Sequence, residues 1–125
     1  LEVTIKEAPT DEIAHTVLNS VLTSSLVKTA IHGKDPNWGR LLMAVGNGLA
    51  FFDVSNNLSI SIEIQSIPVY IKGEPVSMDE EKLTEKLSQF EVTVDINLHQ
   101  GNRSATGWGC DLSHEYVSIN ADYST

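Results

Sequence analysis

The sequence contains one cysteine, few basic residues and no long hydrophobic run. The single Cys110 excludes an internal disulfide and is typical of a protein from a reducing compartment. Only 8 lysines and arginines stand against 17 acidic residues, for a formal net charge of −9. This balance argues against a nucleic-acid partner, because surfaces that bind phosphates cluster basic side chains. The longest apolar stretch, 41–52, is interrupted by glycines and is too short to span a bilayer, so no membrane partner is expected.

The sequence does contain several short runs in which apolar and polar residues alternate. The runs 1–5, 58–64 and 92–98 have this pattern, which predicts strands with one buried face. Shorter strands are predicted on either side of a reversal at Lys72-Gly73, and two more at 105–110 and 116–121. The strands between residues 90 and 112 resemble a hairpin. The segment 26–31 is interpreted as a strand, with a helix as the alternative.

Three helices are predicted from their starting residues. Thr10 can cap the first helix, and Asp35 the second, which ends at Gly46 or Gly48. Ser77 with Glu80 forms a capping box for the third helix. Strands and helices interleave without a regular repeat. The sequence therefore predicts an α+β fold, a mixed or mostly antiparallel sheet with about three helices packed on it, and a single domain over residues 1–125.

The patterns contain no convincing catalytic or metal-binding set. Ser113-His114-Glu115 are sequence neighbours, which cannot generally form a nucleophile relay, so a polar turn is favoured. Cys110 has no basic neighbour to lower its pKa and is interpreted as a buried, inert thiol. The four histidines lack ligand spacing, and His99 is interpreted as a turn residue. No catalytic residue and no metal ligand is assigned.

The segment Asp35-Pro-Asn-Trp-Gly-Arg40 allows two interpretations. A substrate carboxylate could bind Arg40 together with the N–H groups of an opening helix. Alternatively Trp38 packs in the core, Gly39 permits close contact between helix and sheet, and Arg40 binds a neighbouring carboxylate. The structural interpretation is favoured, because helix starts commonly carry such residues.

The last ten residues combine strand-like alternation with a polar end. Val117 and Ile119 alternate with polar residues, and the end concentrates an amide, a carboxylate and three hydroxyls in Asn120, Asp122, Tyr123, Ser124 and Thr125. Such a tail is expected to be ordered and to help form a site. From the pattern alone, solvated polar residues are at least as compatible with it.

Three segments, 25–46, 105–112 and 116–125, together resemble the C-terminal part of the β chain of ornithine acetyltransferase, also called bifunctional glutamate N-acetyltransferase. The resemblance extends over essentially the whole chain. It implies an enzyme of arginine biosynthesis that transfers acetyl from N-acetylornithine to glutamate through an acetyl-threonine. The precursor of such an enzyme cleaves itself into α and β chains. No cofactor is implied, although bifunctional members also use acetyl-CoA as a donor.

The resemblance assigns individual residues only in the tail. Asn120 and Thr125 match the family's two C-terminal substrate-contacting positions. Leu1 is not the threonine nucleophile, so the chain is interpreted as a fragment that is inactive alone. The implied partners are the α chain and the rest of the β chain, in a heterotetramer located in the cytoplasm, or in the mitochondrial matrix of a eukaryote. A stand-alone amino-acid-binding or structural assembly module remains the alternative.

Overall fold

The computed structural model describes residues 1–53, 59–89 and 91–109. This part of the chain is an α+β structure with six strands in one sheet and four helices, one helix more than predicted. The predicted strand at 116–121 lies outside the described residues. In chain order the elements are β1 (Glu2–Ala8), α1 (Asp11–Thr23), α2 (Ser25–His32), α3 (Trp38–Leu49), β2 (Ser61–Ile64), β3 (Ile67–Ile71), β4 (Glu74–Pro75), α4 (Glu80–Leu87), β5 (Thr93–Asn97) and β6 (Arg103–Trp108).

The sheet is mixed, as predicted, with the strand order β4-β3-β2-β5-β1-β6. β1 pairs in parallel with β5, and every other pairing is antiparallel. The alternating residues of the three central strands give the sheet one apolar face, because successive side chains of a strand point to opposite faces. The buried set comprises Val3, Ile5, Ile62, Ile64, Val94 and Ile96.

All four helices contribute to the hydrophobic cluster that covers this apolar face. α1 packs against β1, β6 and α3, and its position after the predicted cap is confirmed. Its N-cap is also confirmed, because the Thr10 hydroxyl accepts a hydrogen bond from the Ile13 N–H at 3.1 Å. None of the described helices is both long and apolar enough to cross a membrane. The buried stripe of α1 is Ala14, Val17, Leu18, Val21 and Leu22.

The predicted hairpin between β5 and β6 is wrong, because β1 lies between these two strands. The connection 98–102 crosses the end of β1, where Leu98 N–H donates to the Lys6 carbonyl at 3.0 Å. Gly101 makes this crossing possible. A β-carbon there would lie 2.3 Å from the Ala8 carbonyl oxygen, well inside van der Waals contact. The glycine predicted as a turn marker therefore serves a close approach of two backbones.

The segment interpreted as a strand at 26–31 is the helix α2. Ser24 begins it, because its hydroxyl accepts from the Val27 N–H at 3.2 Å. Val27 and Ala30, three residues apart, are the buried positions and face the core together. Ser24 thus marks the start of a helix, and burial at helical spacing outweighs the β-branched composition of the segment 26–31.

The second predicted helix begins two residues later than expected and ends later than either glycine. Asp35 N–H donates to the Ala30 carbonyl at 2.8 Å, so Asp35 helps to end α2. Asn37 instead caps α3, accepting from the Arg40 N–H at 3.1 Å. The helix continues through Gly46 and Gly48 to Leu49.

The third predicted helix, α4, begins at Glu80 with Asp79 as its cap. The Asp79 carboxylate accepts from the Lys82 N–H at 3.2 Å, which makes the predicted capping box of Ser77 wrong by two residues. A carboxylate is favourable at this position, because it satisfies an N–H group and faces the positive end of the helix. Its buried positions are Leu83 and Leu87.

Candidate functional site

The larger of the two grooves described here, a cleft of about 540 Å³, opens at one end of the sheet. β1 and β5 begin there and the antiparallel β6 ends there, while α2 and α4 end beside them. Its volume is within the range typical of small-molecule sites. The cleft is lined by three strand residues and by residues that flank the strands or that end or follow the two helices. The strand residues are Glu2, Thr93 and Trp108, the flanking residues are Leu1, Glu91, Val92 and Gly109, and the residues from the helix ends are Ile31, His32, Lys34, Leu87, Ser88 and Gln89.

The Gln65 side chain, in the turn between β2 and β3, fixes one wall of this cleft. Its amide nitrogen donates to the Lys86 carbonyl at 2.8 Å and to the Glu91 carbonyl at 3.0 Å. Its amide oxygen accepts from the Thr93 N–H at 2.9 Å. One side chain thus joins the end of α4 to the start of β5. Gln65 and Ser66 both have positive φ, at 53° and 64°, as a tight two-residue hairpin turn requires.

Glu2 and Trp108 form a cross-strand pair on the sheet side of the cleft. They are direct partners in the β1–β6 register, and the Trp108 indole N–H donates to Glu2 Oε1 at 2.9 Å. Both side chains are half-buried. The hydrogen bond fixes the orientation of the Glu2 carboxylate, because an indole donates in a single direction in the plane of its ring.

Charges of both signs line the cleft. Glu2 and Glu91 supply carboxylates, and Lys34 supplies an ammonium group on the α2 side. The C-terminal ends of α2 and α4 also meet the cleft, and helix C-termini carry partial negative charge that favours nearby cations. An amino acid presents both an ammonium and a carboxylate, so this lining suits a ligand of that class.

A smaller groove of about 280 Å³ contains a polar cluster that the sequence did not reveal. Ser61 Oγ lies 2.8 Å from His99 Nε2, and His99 Nδ1 lies 3.7 Å from Glu7 Oε1. Asn97 adds hydrogen bonds to the Glu7 carboxylate, at 2.5 Å, and from the His99 N–H, at 2.8 Å. Glu7, Ser61 and Asn97 come from three different strands and His99 from the connection after β5, so only the sheet order brings them together. We interpret the cluster as structural, because Glu7 is half-exposed and its separation from His99 exceeds a hydrogen bond.

The structure places the Asp35–Arg40 segment in a structural role. Trp38 stacks on Tyr70 with ring centroids 5.1 Å apart and packs against the core. Arg40 donates to the Leu26 carbonyl at 3.1 Å rather than to the expected carboxylate, and so joins α3 to α2. A β-carbon at Gly39 would meet the capping Asn37 side chain at 3.3 Å, not the sheet. Arg40 lines neither of the two grooves.

The two predicted substrate-contacting residues, Asn120 and Thr125, lie outside the described residues, as do Cys110 and the Ser113-His114-Glu115 segment. Their assignment stays a prediction. Within the described ranges, no group of three or more metal-ligating side chains comes together. His99 does lie in a turn, as predicted, with a left-handed backbone at φ 55°.

Comparison with known proteins identifies the family. The model of the ArgJ family matches residues 1–125, the whole chain. The chain belongs to the ArgJ family. Two similar relatives are the arginine biosynthesis bifunctional proteins ArgJ of Staphylococcus epidermidis strain RP62A, 46% identical over 125 residues, and of Bacillus cereus strain ATCC 14579, 44% identical over 125 residues.

A solved structure is also similar to this chain. The crystal structure of the arginine biosynthesis bifunctional protein ArgJ from Bacillus halodurans matches with a TM-score of 0.81 at 36% identity, over 98% of this chain and 53% of that chain. The chain spans 31% of the length of the S. epidermidis ArgJ protein and 30% of the B. cereus one. The chain thus corresponds to a part of the length of these ArgJ proteins.

Proposed function

We propose that this chain acts as the C-terminal domain of the β chain of an ornithine acetyltransferase. The complete enzyme would transfer acetyl from N-acetylornithine to glutamate through an acetyl-threonine. The observation that carries the proposal is the ArgJ family match over all 125 residues, with relatives named as arginine biosynthesis bifunctional proteins. A covalent acetyl-enzyme divides such a transfer into two easier steps.

In this proposal the chain supplies binding groups rather than the nucleophile. The 540 Å³ cleft and the polar tail would form parts of the same amino-acid pocket. Gly109 lines the cleft, and the chain continues from it into the segment that carries Asn120 and Thr125. An amide, a hydroxyl and a carboxylate suit the ammonium and carboxylate groups of an amino acid.

The threonine nucleophile and the oxyanion-stabilising groups would come from the rest of the enzyme. The proposed partners are the α chain and the remainder of the β chain, in a heterotetramer, and the proposed location is the cytoplasm. The fraction of the relatives that the chain spans, 30–31%, supports partners of this kind. No cofactor is proposed, and acetyl-CoA would serve as a second acetyl donor if this enzyme is bifunctional.

The test is acetyl transfer from N-acetylornithine to glutamate, measured for the full-length polypeptide and for this chain alone. We expect transfer by the full-length enzyme only. Transfer by this chain alone would contradict the assignment of the nucleophile to another segment. Transfer by neither would reject the acetyltransferase proposal and favour a stand-alone binding or assembly module.

A second prediction concerns the tail. In the full-length enzyme, Asn120→Ala or removal of Ser124-Thr125 should weaken substrate use by about 1–3 kcal/mol for each buried hydrogen-bonding group lost. The free energy of unfolding should change little. Steady-state kinetics and urea unfolding measure the two effects, with Ser25→Ala on the exposed side of α2 as the control variant. Unchanged kinetics in both tail variants would show that the tail does not bind the substrate.

A further inference from the structure

The outward side of α3 is uncharged, in contrast to that of α4. Five of the eight residues of α4 are charged, as is usual for a helix that faces solvent. α3 has one charged residue among twelve, Arg40, whose guanidinium donates to the Leu26 carbonyl at 3.1 Å. The exposed positions of α3 recur at helical spacing and form one stripe, called here the α3 face: Gly39, Met43, Gly46, Asn47 and Ala50.

Exposed hydrophobic side chains are concentrated on and beside the α3 face. Among the described residues four large hydrophobic side chains are exposed, and three of them lie on α3 or next to it. Met43 lies on the face itself and is 55% exposed, and Phe51, two residues after the helix, is 80% exposed. Leu26 of α2 is 47% exposed, and Arg40, one turn before Met43, binds its carbonyl. Such a concentration marks an interaction surface, and the cores of protein interfaces are depleted of charge and enriched in methionine.

The described residues give no packing reason for glycine at position 46. A β-carbon there would meet nothing within 4 Å, although glycine destabilises a helix relative to alanine. Gly48 lies about 200° further around the helix, and a β-carbon there would lie 3.0 Å from Val17 Cα of α1. Gly48 thus permits the backbone of α1 to approach α3 closely. Gly46 permits the same approach from the opposite side, by a backbone outside the described residues.

The observations favour one occupant of the α3 face, a part of the ArgJ polypeptide outside residues 1–125. The chain covers 31% of the S. epidermidis ArgJ protein and 53% of the crystallised B. halodurans chain, so ArgJ proteins contain further segments that can pack on it. A second copy of this chain suits the face less well, because each copy has a net charge of −9 and like charges oppose association. A segment of the same polypeptide also has a high effective concentration, so a small apolar face is sufficient to bind it.

We propose that the α3 face binds an uncharged, apolar helix of the ArgJ polypeptide outside residues 1–125, with the backbone of that helix close to Gly46. The inference deepens the proposed function, because it rests on the rest of the enzyme as the partner. In the complete enzyme α3 then lies between two helices. It contacts α1 through Gly48 and the bound helix through Gly46 and Met43.

The first test uses the full-length protein with the photoreactive substitution Met43→p-benzoylphenylalanine. Irradiation and peptide mass spectrometry should identify a cross-link to a segment outside residues 1–125. The same substitution at Ile71, an exposed hydrophobic position away from α3, is the matched control and should give no cross-link to that segment. Cross-links from position 43 only to residues 1–125, in the same or in a second copy, would overturn the proposal, and so would the absence of any cross-link.

The second test is the sign of a stability change in the full-length protein. Gly46→Leu should lower Tm by roughly 2–10 °C, because the new side chain occupies the space of the bound backbone. Asn19→Leu, at an exposed position of α1, is the control and should leave Tm nearly unchanged. Helix propensity alone would raise Tm in Gly46→Leu. An unchanged or higher Tm in this variant would therefore overturn the close approach at Gly46.

The outcomes separate this inference from the proposed function. An absence of acetyl transfer by the unaltered full-length protein would reject the proposed function, while the cross-link from position 43 would still decide what the α3 face binds. Acetyl transfer together with a cross-link only within residues 1–125 would overturn the inference and leave the proposed function in place.

Discussion

At the scale of single residues, two glycines of α3 that look equivalent in the sequence have opposite surroundings. A β-carbon at Gly48 would lie 3.0 Å from Val17 Cα and 3.1 Å from Ser20 Cβ, both on α1. A β-carbon at Gly46 would meet nothing within 4 Å. Both glycines were predicted as possible helix ends, yet both lie inside the helix. Gly48 permits the close packing of α3 on α1, whereas Gly46 loosens the helix.

The two alanine substitutions should therefore change stability in opposite directions. Gly48→Ala should lower the free energy of unfolding by about 1–3 kcal/mol, because the backbone of α1 must move away. Gly46→Ala should raise it by about 0.5–1 kcal/mol, because alanine loses less conformational entropy in a helix. Urea unfolding of both variants of this chain measures this. A change of the same sign in both would contradict the packing described for α3.

The Gln65 side chain joins the end of α4 to the start of β5 beside the cleft. Gln65→Ala should lower the free energy of unfolding by about 0.5–1.5 kcal/mol, because the partly buried Lys86 carbonyl and Thr93 N–H lose their hydrogen-bond partner. It should also speed hydrogen exchange at the Thr93 amide, which donates to Gln65 Oε1 at 2.9 Å. Ser66→Ala is the matched control, since Ser66 has the same left-handed backbone but an exposed side chain. If Gln65→Ala and Ser66→Ala lower the free energy of unfolding equally, the loss comes from the turn and not from the hydrogen bonds of the Gln65 side chain.

At the scale of elements, the sequence predicted three helices that the structure contains, but two of their three starting residues were predicted wrongly. Thr10 was the only polar residue directly before its helix, and its prediction is confirmed. Before α3 and α4, several capping side chains compete within three or four residues. At α3 the Asp35 side chain accepts from the Asn37 amide at 3.2 Å, and the Asn37 side chain provides the cap. A rule that considers only neighbouring residues in the sequence therefore cannot identify the N-cap.

The start of α4 offers a direct test of this competition. Asp79→Ala should lower the free energy of unfolding by about 1 kcal/mol, the usual cost of losing an N-cap. Ser77→Ala should change it by less than about 0.5 kcal/mol, as for an exposed substitution without a specific role. Urea unfolding of the two variants compares them directly. A larger loss of unfolding free energy in Ser77→Ala than in Asp79→Ala would contradict Asp79 as the cap and favour the predicted capping box of Ser77 and Glu80.

At the scale of the whole molecule, the sequence predicts the fold class but not the strand order. Alternation at Val92–Leu98 predicts β5 well, because burial of one face depends on the residues of each strand alone. The strand predicted at 105–110 overlaps β6, which begins two residues earlier and ends at Trp108. The insertion of β1 between β5 and β6 depends on pairing energies across the sheet, and the short connection favoured a hairpin. The same limit applies to sites. Glu2 and Trp108 are 106 positions apart, and only the β1–β6 register joins them.

The resemblance of three sequence segments was sufficient to predict the ArgJ family, since long motifs in the same order are far more specific than periodicity. It also assigned Asn120 and Thr125, which remain predictions. The cleft between the strand starts and the ends of α2 and α4 required the structure. Its lining comes from five elements, none of which carries a recognisable motif at that position except the Gly-Trp-Gly run of β6.

The most direct test of the account is the position of the acetyl group on the enzyme during the reaction. The full-length protein would be incubated with N-acetylornithine labelled in the acetyl group, without glutamate, and the labelled peptide located by mass spectrometry. We predict one acetyl group on a threonine outside residues 1–125. Acetyl on a residue within 1–125, such as Ser61 beside His99, would show that this chain contains the nucleophile and would contradict the account.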